Sequence, residues 1–184
     1  MGHPPRSMQP WILALLLALA PRPFAVPSMP ETQDAYEHRL NDVATQLAAQ
    51  VKGSREAALM VALAYMESGF AVDADVGPCD LRLGRERCDG GRSVSMWQVM
   101  IANDETREGW DKADLFAHRE HAIHEALQRV RRSLGACRAF GPDAVLDVYA
   151  GGRCSAPGEL VRAKGLQRLA LARRLLDRHP FPKL

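Results

Sequence analysis

The feature that most constrains the fold is an apolar segment in the first half of the chain. Residues 57–66 read AALMVALAYM, so apolar side chains occupy every side of a helix in this stretch. A helix that is apolar all round is normally buried, and we expect this one to form the centre of the core. Glu67, Ser68 and Gly69 follow at once and end the pattern. The segment therefore predicts a buried helix over 55–67 with a carboxylate in its last turn.

The rest of the chain also has helical spacing. Apolar residues recur at steps of three or four in three further segments, namely 34–51, 115–134 and 160–176. Pro142 suits the first position of another helix. Residues 71–94 are rich in Gly and charge and show no periodicity, which predicts an irregular loop or a small β-ribbon after the buried helix. With 184 residues the chain fits one domain, and we predict a mainly α fold class.

The first 25 residues have the pattern of a secretory signal peptide. The apolar run 11–20 is too short to span a bilayer as a helix, and small residues follow it. Ala20 and Ala25 are candidate cleavage points, and the proline after Ala20 favours Ala25. An uncleaved membrane anchor is the alternative. We therefore expect a signal peptide over 1–25 and an exported mature domain over 26–184, periplasmic or extracellular, with no membrane span after cleavage.

Four cysteines in an exported chain predict two disulfides, with three possible pairings. We favour the local pairing, Cys79 with Cys88 and Cys137 with Cys154, because each bond closes a short loop around the candidate site. A zinc site is the competing interpretation. No pair has CxxC spacing, and export favours oxidation, so zinc is disfavoured.

Three histidines at helical spacing, His118, His121 and His124, are the other candidate ligand set. They lack the HExxH pattern of zinc enzymes, and a solvated helix face explains them more simply. The sequence therefore predicts neither a metal nor a cofactor.

Charge is unevenly distributed along the chain. Residues 31–128 carry 10 Lys or Arg against 18 Asp or Glu, whereas residues 129–184 carry 12 against 4. The basic end could face an anionic partner such as a cell wall or a nucleic acid. The simpler interpretation is that the two parts lie side by side and offset each other. The basic residues have no interleaved aromatics, so we predict no nucleic-acid partner.

Glu67 is a candidate catalytic residue on its position alone. Partial burial at the end of an apolar helix disfavours the charged carboxylate and raises its pKa. The negative end of the helix dipole acts in the same direction. A carboxylic acid that stays protonated near neutral pH is what glycosidic cleavage needs as its general acid. An ion-paired or exposed glutamate with no catalytic role is the alternative.

Three short segments, 65–70 (YMESGF), 93–99 (SVSMWQV) and 148–152 (VYAGG), have a familiar order and spacing. Together they resemble the lytic transglycosylases of the lysozyme-like superfamily and, more loosely, the goose-type lysozymes. The family pattern is a glutamate followed by Ser-x-Phe, a Gly-Leu-Met-Gln-like turn, and an Ala-Tyr-Asn-x-Gly-like segment. The resemblance covers about residues 54–176 and implies a single lysozyme-like helical domain.

The resemblance implies a role for each matching residue. Glu67 matches the catalytic glutamate, which protonates the glycosidic oxygen and later takes a proton back. Phe70 packs beneath the cleft, and Ser68 helps to shape the turn. Gln98 matches a glutamine at the cleft floor that binds sugar hydroxyls or the N-acetyl group, and Tyr149 a tyrosine whose hydroxyl approaches the glutamate. The substrate-binding positions we predict are Ser68, Ser95, Trp97, Gln98 and Tyr149.

This chain departs from the family pattern at several of these positions. Ser95 stands where the family usually has glycine, Trp97 where it has methionine or a similar residue, and Ala150 where asparagine is common. The serine alters the cleft floor, and the alanine removes a substrate contact. Trp97 and Trp110 either stack on sugar rings or anchor the core.

The implied reaction is cleavage of the β-1,4 bond between N-acetylmuramic acid and N-acetylglucosamine in peptidoglycan, with a 1,6-anhydro product. Hydrolysis is the alternative, and it would ordinarily require a second carboxylate. The loop after the buried helix offers four, namely Asp73, Asp75, Asp80 and Asp89. A non-catalytic peptidoglycan-binding or assembly module on the same fold is the rival from another class. The sequence leaves the oligomeric state open.

Overall fold

A computed structural model describes residues 8–101, 105–151, 153–155 and 158–182. The described chain is mainly helical, which confirms the predicted class, and one short antiparallel ribbon follows the third helix. The elements are α1 Met8–Leu19, α2 Gln33–Gln50, α3 Ser54–Ser68, α4 Val72–Val76, α5 Cys88–Gly91, β1 Ser93–Val94, β2 Val99–Met100, α6 Lys112–Ala117, α7 Arg119–Cys137, α8 Asp147–Gly151 and α9 Glu159–Arg178.

Helix α3 lies at the centre of the core, as its apolar pattern predicts. All eight residues from Ala57 to Ala64 are buried. Helices α1 and α9 pack against α3, while α2 packs against α1 and α7, and α8 packs against α7 and α9. The helix is therefore covered on several sides at once, which its all-round apolar surface requires.

The chain turns sharply where α3 ends. Gly69 (φ 59°) and Phe70 (φ 60°) both adopt the left-handed conformation, which is easy for glycine and unfavourable for phenylalanine. Phe70 is held there by complete burial of its side chain and by a hydrogen bond from Arg39 Nη2 to its carbonyl, at 2.9 Å. This turn leaves Glu67 in the last turn of the helix, at the edge of the core.

Three segments differ from the sequence prediction. Residues 71–94, predicted as an irregular loop or a small β-ribbon, contain the short helices α4 and α5 before the ribbon begins. The pattern over 115–134 predicted one helix, but the chain forms α6 and α7 with a break at His118. Arg119, the first residue of α7, donates to both oxygens of Asp75 at 3.0 and 2.8 Å, so a tertiary ion pair holds the start of α7 in place. Pro142 lies in a turn, and the helix expected there begins only at Asp147.

Helix α1 lies within the segment predicted to be a signal peptide, and in this structure it packs onto α2 and α3. The Trp11 indole donates to the carbonyl of His179 at 2.8 Å, and the Tyr36 hydroxyl donates to that of Ala20 at 2.7 Å. Cleavage after Ala25, which stays a prediction, would uncover the faces that α1 covers. None of the described helices has both the length and the apolar character needed to cross a membrane.

Two disulfides pair the four cysteines in the local arrangement favoured by the sequence. Cys79 is bonded to Cys88, and Cys137 is bonded to Cys154. The first bond belongs to a small buried cluster with Val26, Ala71 and residues of α4, so it fixes the loop beside the end of α3. Paired cysteines agree with the expected export.

The basic C-terminal part of the chain lies against the acidic part. Arg131 of α7 pairs with Glu56 at the start of α3, and Arg168 of α9 pairs with Glu67 at its end. These contacts support the interpretation that the two charge-biased segments offset each other.

Candidate functional site

A groove of about 280 Å³ lies at the C-terminal end of α3. Its lining includes Phe24, Met66, Glu67, Ser68, Arg87 and Gln98. A second hollow of about 530 Å³ shares Phe24, Met66 and Gly69 with the first, so the two are neighbours along the same surface. The groove therefore joins the first two sequence motifs.

Glu67 lies in the wall of this groove with its side chain 18% exposed. Burial raises the pKa of Glu67 above its ordinary value, and Asp89 adds to this effect through its negative charge. Arg168 and Lys164 oppose the rise in pKa but do not cancel it. The pKa is thus shifted in the direction that the buried helix end predicts.

Arg168 is the residue at this site that sequence reasoning missed. Its guanidinium donates from Nη2 to Glu67 Oε1 and lies over the ring of Tyr149, with Cζ 5.8 Å from the ring centroid. The sequence does contain a signal that Arg168 faces the core, because it stands three residues after Gly165 and four before Ala172, both small residues. These three residues share the buried face of α9.

Tyr149 belongs to α8 and lies beneath Arg168. The Tyr149 hydroxyl donates to the carbonyl of Trp97 at 2.8 Å, so its proton is directed to the backbone and not to the glutamate. Burial and the nearby charge of Glu67 raise the pKa of Tyr149 well above its ordinary value, which keeps the phenol protonated. The contact to Glu67 that the family resemblance implies for Tyr149 is made here by Arg168.

The second motif forms the turn between β1 and β2. Ser95 (φ 65°) and Gln98 (φ 51°) both have left-handed backbones, and Gln98 Nε2 donates to the Ser95 carbonyl at 3.0 Å. Such a left-handed backbone favours glycine at the position of Ser95. Among these residues Gln98 reaches the groove.

Two predicted substrate-binding residues of this turn face the core. Ser95 and Trp97 are each 1% exposed. The Trp97 indole donates to the carbonyl of Met60 at 2.9 Å, and Ser95 Oγ accepts a hydrogen bond from the Trp97 amide at 3.3 Å. The structure therefore does not bring either side chain to the groove surface, and Trp97 is a core anchor.

Ser68 and Phe70 shape the turn after Glu67, as their sequence positions suggest. Ser68 Oγ donates to the Ala64 carbonyl at 2.9 Å and accepts from the Phe70 amide at 3.2 Å. Ser68 also lines the groove, whereas Phe70 is fully buried.

The four loop aspartates have different environments. Asp73 and Asp75 are buried; Arg87 binds the first, and Arg39 and Arg119 bind the second. Asp80 forms an ion pair with Arg82. Asp89 is exposed, and it is the loop acid whose charge raises the pKa of Glu67.

Two of the three histidines, His121 and His124, pack against Trp110, and His118 packs against His121. His121 is stacked on the indole with ring centroids 4.0 Å apart, and His124 meets it edge-on at 5.5 Å. In the described residues, no group of three or more His, Cys, Asp or Glu side chains is arranged to hold a metal ion. Trp110 is thereby a packing partner of α7.

The arrangement can hold and protonate a polar substrate. One carboxyl with a raised pKa faces a groove that also presents the Gln98 amide and the Arg87 guanidinium. A raised pKa lets a carboxyl act as a general acid, and the amide can both donate and accept hydrogen bonds. No family model, no curated protein and no solved structure matches this chain.

Proposed function

We propose that this protein is a peptidoglycan lytic transglycosylase in which Glu67 serves as both general acid and general base. The single observation that carries the proposal is the position of Glu67, partly desolvated and with a raised pKa in the wall of a groove. The lysozyme-like fold implied by the three motifs is part of this proposal. The substrate is the glycan strand, cleaved between N-acetylmuramic acid and N-acetylglucosamine.

The reaction uses one glutamate twice. The Glu67 carboxyl gives its proton to the glycosidic oxygen as the bond from that oxygen to C1 of the muramic sugar breaks. The substrate's acetamido group supports the positive charge that develops at C1. The Glu67 carboxylate then takes the proton of the C6 hydroxyl while O6 bonds to C1, which gives the 1,6-anhydro ring and restores the acid.

The environment of the loop acids favours this route over hydrolysis. A hydrolase of either stereochemical course needs a second carboxylate near the reacting carbon. Asp73, Asp75 and Asp80 are each engaged by arginine, so they are poor candidates for activating water. A mechanism that requires only Glu67 therefore fits the site best.

Hydrolysis is the second candidate because of Asp89. The negative charge of this exposed carboxylate contributes to the rise in the pKa of Glu67. In a hydrolase it would act as the base or the nucleophile. A third candidate, a non-catalytic wall-binding module, is supported by the ion pair between Arg168 and Glu67, because a paired carboxylate is not a proton donor.

Mass spectrometry of muropeptides released from purified peptidoglycan separates these candidates. A lytic transglycosylase gives anhydro-muramic ends, and Asp89→Asn leaves both the product and its amount nearly unchanged. Reducing ends that disappear in Asp89→Asn establish hydrolysis instead. Retention of the protein on peptidoglycan with no release of muropeptides establishes the binding module.

A further inference from the structure

Arg168 and Glu67 hold each other in place. Arg168 is 7% exposed, and its Nη2 donates to Glu67 Oε1. Its Nε and Nη1 are buried and find no hydrogen-bond partner among the described residues. Unpaired buried donors are unfavourable, so the guanidinium owes its position to the carboxylate and to its contact with the ring of Tyr149.

The contact leaves half of the carboxyl group free. Arg168 engages Oε1, and within the described part of the chain no donor is bonded to Oε2. Glu67 at the same time lines the groove. A one-sided contact of this kind fixes the orientation of the side chain without occupying the oxygen that must exchange a proton.

We propose that Arg168 is the positioning residue of this site, which aims the Glu67 carboxyl into the groove and sets the balance between its acid and base forms. This inference rests on the proposed function. When Glu67 gives its proton to the glycosidic oxygen, the hydrogen bond that Arg168 already donates becomes a contact between opposite charges and stabilises the resulting carboxylate. When Glu67 takes the proton of the C6 hydroxyl, that stabilisation is released.

The other charged groups around Glu67 do not duplicate this role. Lys164 stands one turn earlier on α9 and acts on Glu67 through its charge, without a hydrogen bond. Asp89 acts from the loop with the opposite sign. From α8, Tyr149 presents a neutral phenol bonded to a backbone carbonyl. Arg87, on the groove wall, is paired with Asp73.

Burial and the charge of Arg168 shift the pKa of Glu67 in opposite directions, and the proposed reaction needs both. Burial alone favours the protonated form, which would make Glu67 a poor donor and its carboxylate hard to form. Arg168 offsets part of that effect, and it is the leading cause that lowers the pKa of Glu67. Replacing it with a neutral residue should therefore leave a carboxyl that ionises only at higher pH.

Titration of the Glu67 side-chain carboxyl by NMR tests this directly, using protein labelled with carbon-13 glutamate and Glu67→Gln for assignment. In Arg168→Gln the titration midpoint should rise by about 1–3 pH units, because an opposite charge in contact shifts a carboxyl by that amount. Arg168→Lys retains the charge and should stay closer to wild type. The matched control is Arg162→Gln, which removes an ion pair to Asp147 from the same helix and should leave the Glu67 midpoint unchanged.

The pH profile of muropeptide release provides the catalytic readout. In Arg168→Gln the fall in rate on the alkaline side should move up by the same amount as the midpoint of Glu67. A merely structural role would lower the rate equally at every pH. If Arg168→Gln does not fold, Arg168→Lys takes its place. This variant should release muropeptides more slowly than wild type, but its rate should fall at the same alkaline pH. A fall at a different pH overturns the proposal.

The outcomes separate this inference from the proposed function. An unchanged Glu67 midpoint in Arg168→Gln overturns the role of Arg168, whatever the activity. If the Glu67 midpoint shifts in Arg168→Gln but the pH profile of muropeptide release does not, Arg168 has no role in the reaction. If wild type releases no muropeptides, the proposed function fails, while the NMR midpoints still decide whether Arg168 controls the charge of Glu67.

Discussion

The two ends of α3 each carry a glutamate paired with an arginine from a later helix, but the two pairs are built differently. At the start of the helix, both oxygens of Glu56 are engaged by Arg131, at 2.8 and 2.9 Å, and Oε2 also accepts from the Lys52 amide at 2.7 Å. At the end of the helix, Arg168 engages one oxygen of Glu67. We call the start of α3 the closed end, because both oxygens of Glu56 are engaged there. We call its C-terminal end the open end, because Glu67 lines the groove there.

The pKa values of the two glutamates shift in opposite directions. Burial raises the pKa of Glu56, but the hydrogen bonds from Arg131 and Lys52 outweigh burial and lower it overall. Burial of Glu67 outweighs Arg168, so its pKa is raised. The helix dipole adds to the contrast, since it favours a carboxylate at the first turn and disfavours one at the last. An arginine partner alone therefore does not define the charge of a carboxyl group.

The largest effect we expect is on activity at the open end. Glu67→Gln should reduce muropeptide release by about 10²–10⁴-fold, because the amide has no proton to give or take in general acid–base catalysis. Release is measured by mass spectrometry, and folding by circular dichroism. Glu56→Gln, at the other end of the same helix, is the control and should remain active while folded. Full clearance of peptidoglycan by Glu67→Gln would contradict the catalytic role.

At the closed end the expected effect is on stability. Glu56→Gln should lower the free energy of unfolding by about 2 kcal/mol, because it removes charge-assisted hydrogen bonds that join α3 to α7. Chemical denaturation measures this change. Glu67→Gln should change stability less, since the amide oxygen of glutamine can still accept the hydrogen bond from Arg168. If both variants lost the same free energy of unfolding, the two glutamate–arginine pairs would contribute equally to stability and the predicted difference would be wrong.

The pH dependence of stability should differ in sign between the two ends. Glu56 has a lowered pKa, so its contribution is present above its unfolded pKa and is lost as pH falls through the folded value. Glu67 has a raised pKa, so its contribution is present at low pH and is lost as pH rises through the folded value. With rising pH, wild type should gain stability relative to Glu56→Gln and lose it relative to Glu67→Gln. If the two differences in stability changed with pH in the same direction, the predicted contrast between Glu56 and Glu67 would be wrong.

The smallest effect should come from the turn that carries Gln98 to the open end. Ser95→Gly should raise the free energy of unfolding by up to about 1 kcal/mol, because a left-handed backbone is unfavourable for serine and easy for glycine. Loss of the hydrogen bond from the Trp97 amide to Ser95 Oγ reduces this gain. Thermal unfolding measures the change. Ser93→Gly, in the adjacent strand, is the control and should not stabilise.

The parts of the fold that were predictable are those that depend on local pattern. The apolar surface of α3 and the residues that end it are contiguous in the chain, so the burial of the helix and the position of Glu67 followed from them. The local disulfides were predictable for the same reason. The break at His118 was not predictable from local pattern. The ion pair that holds the helix start beside this break joins Arg119 to Asp75, which lies 44 residues earlier in the chain.

The counterion of Glu67 was not predicted because packing decides which face of α9 is buried. The apolar residues that recur over 160–176 include Leu160 and Leu166, yet these side chains are 69% and 37% exposed. The face toward α3 carries Arg168 instead. The burial of Ser95 and Trp97 was also not predicted. The sequence of a turn does not show whether a given side chain faces the core or a groove.

The separation of 101 residues between Glu67 and Arg168 has a consequence for biosynthesis. Glu67 leaves the ribosome well before its counterion, which lies on α9 and can dock only after that helix has been made. A nascent, truncated or nicked chain that has not yet docked this helix would hold the glutamate without the arginine. The ion pair therefore cannot form until α9 has packed against α3.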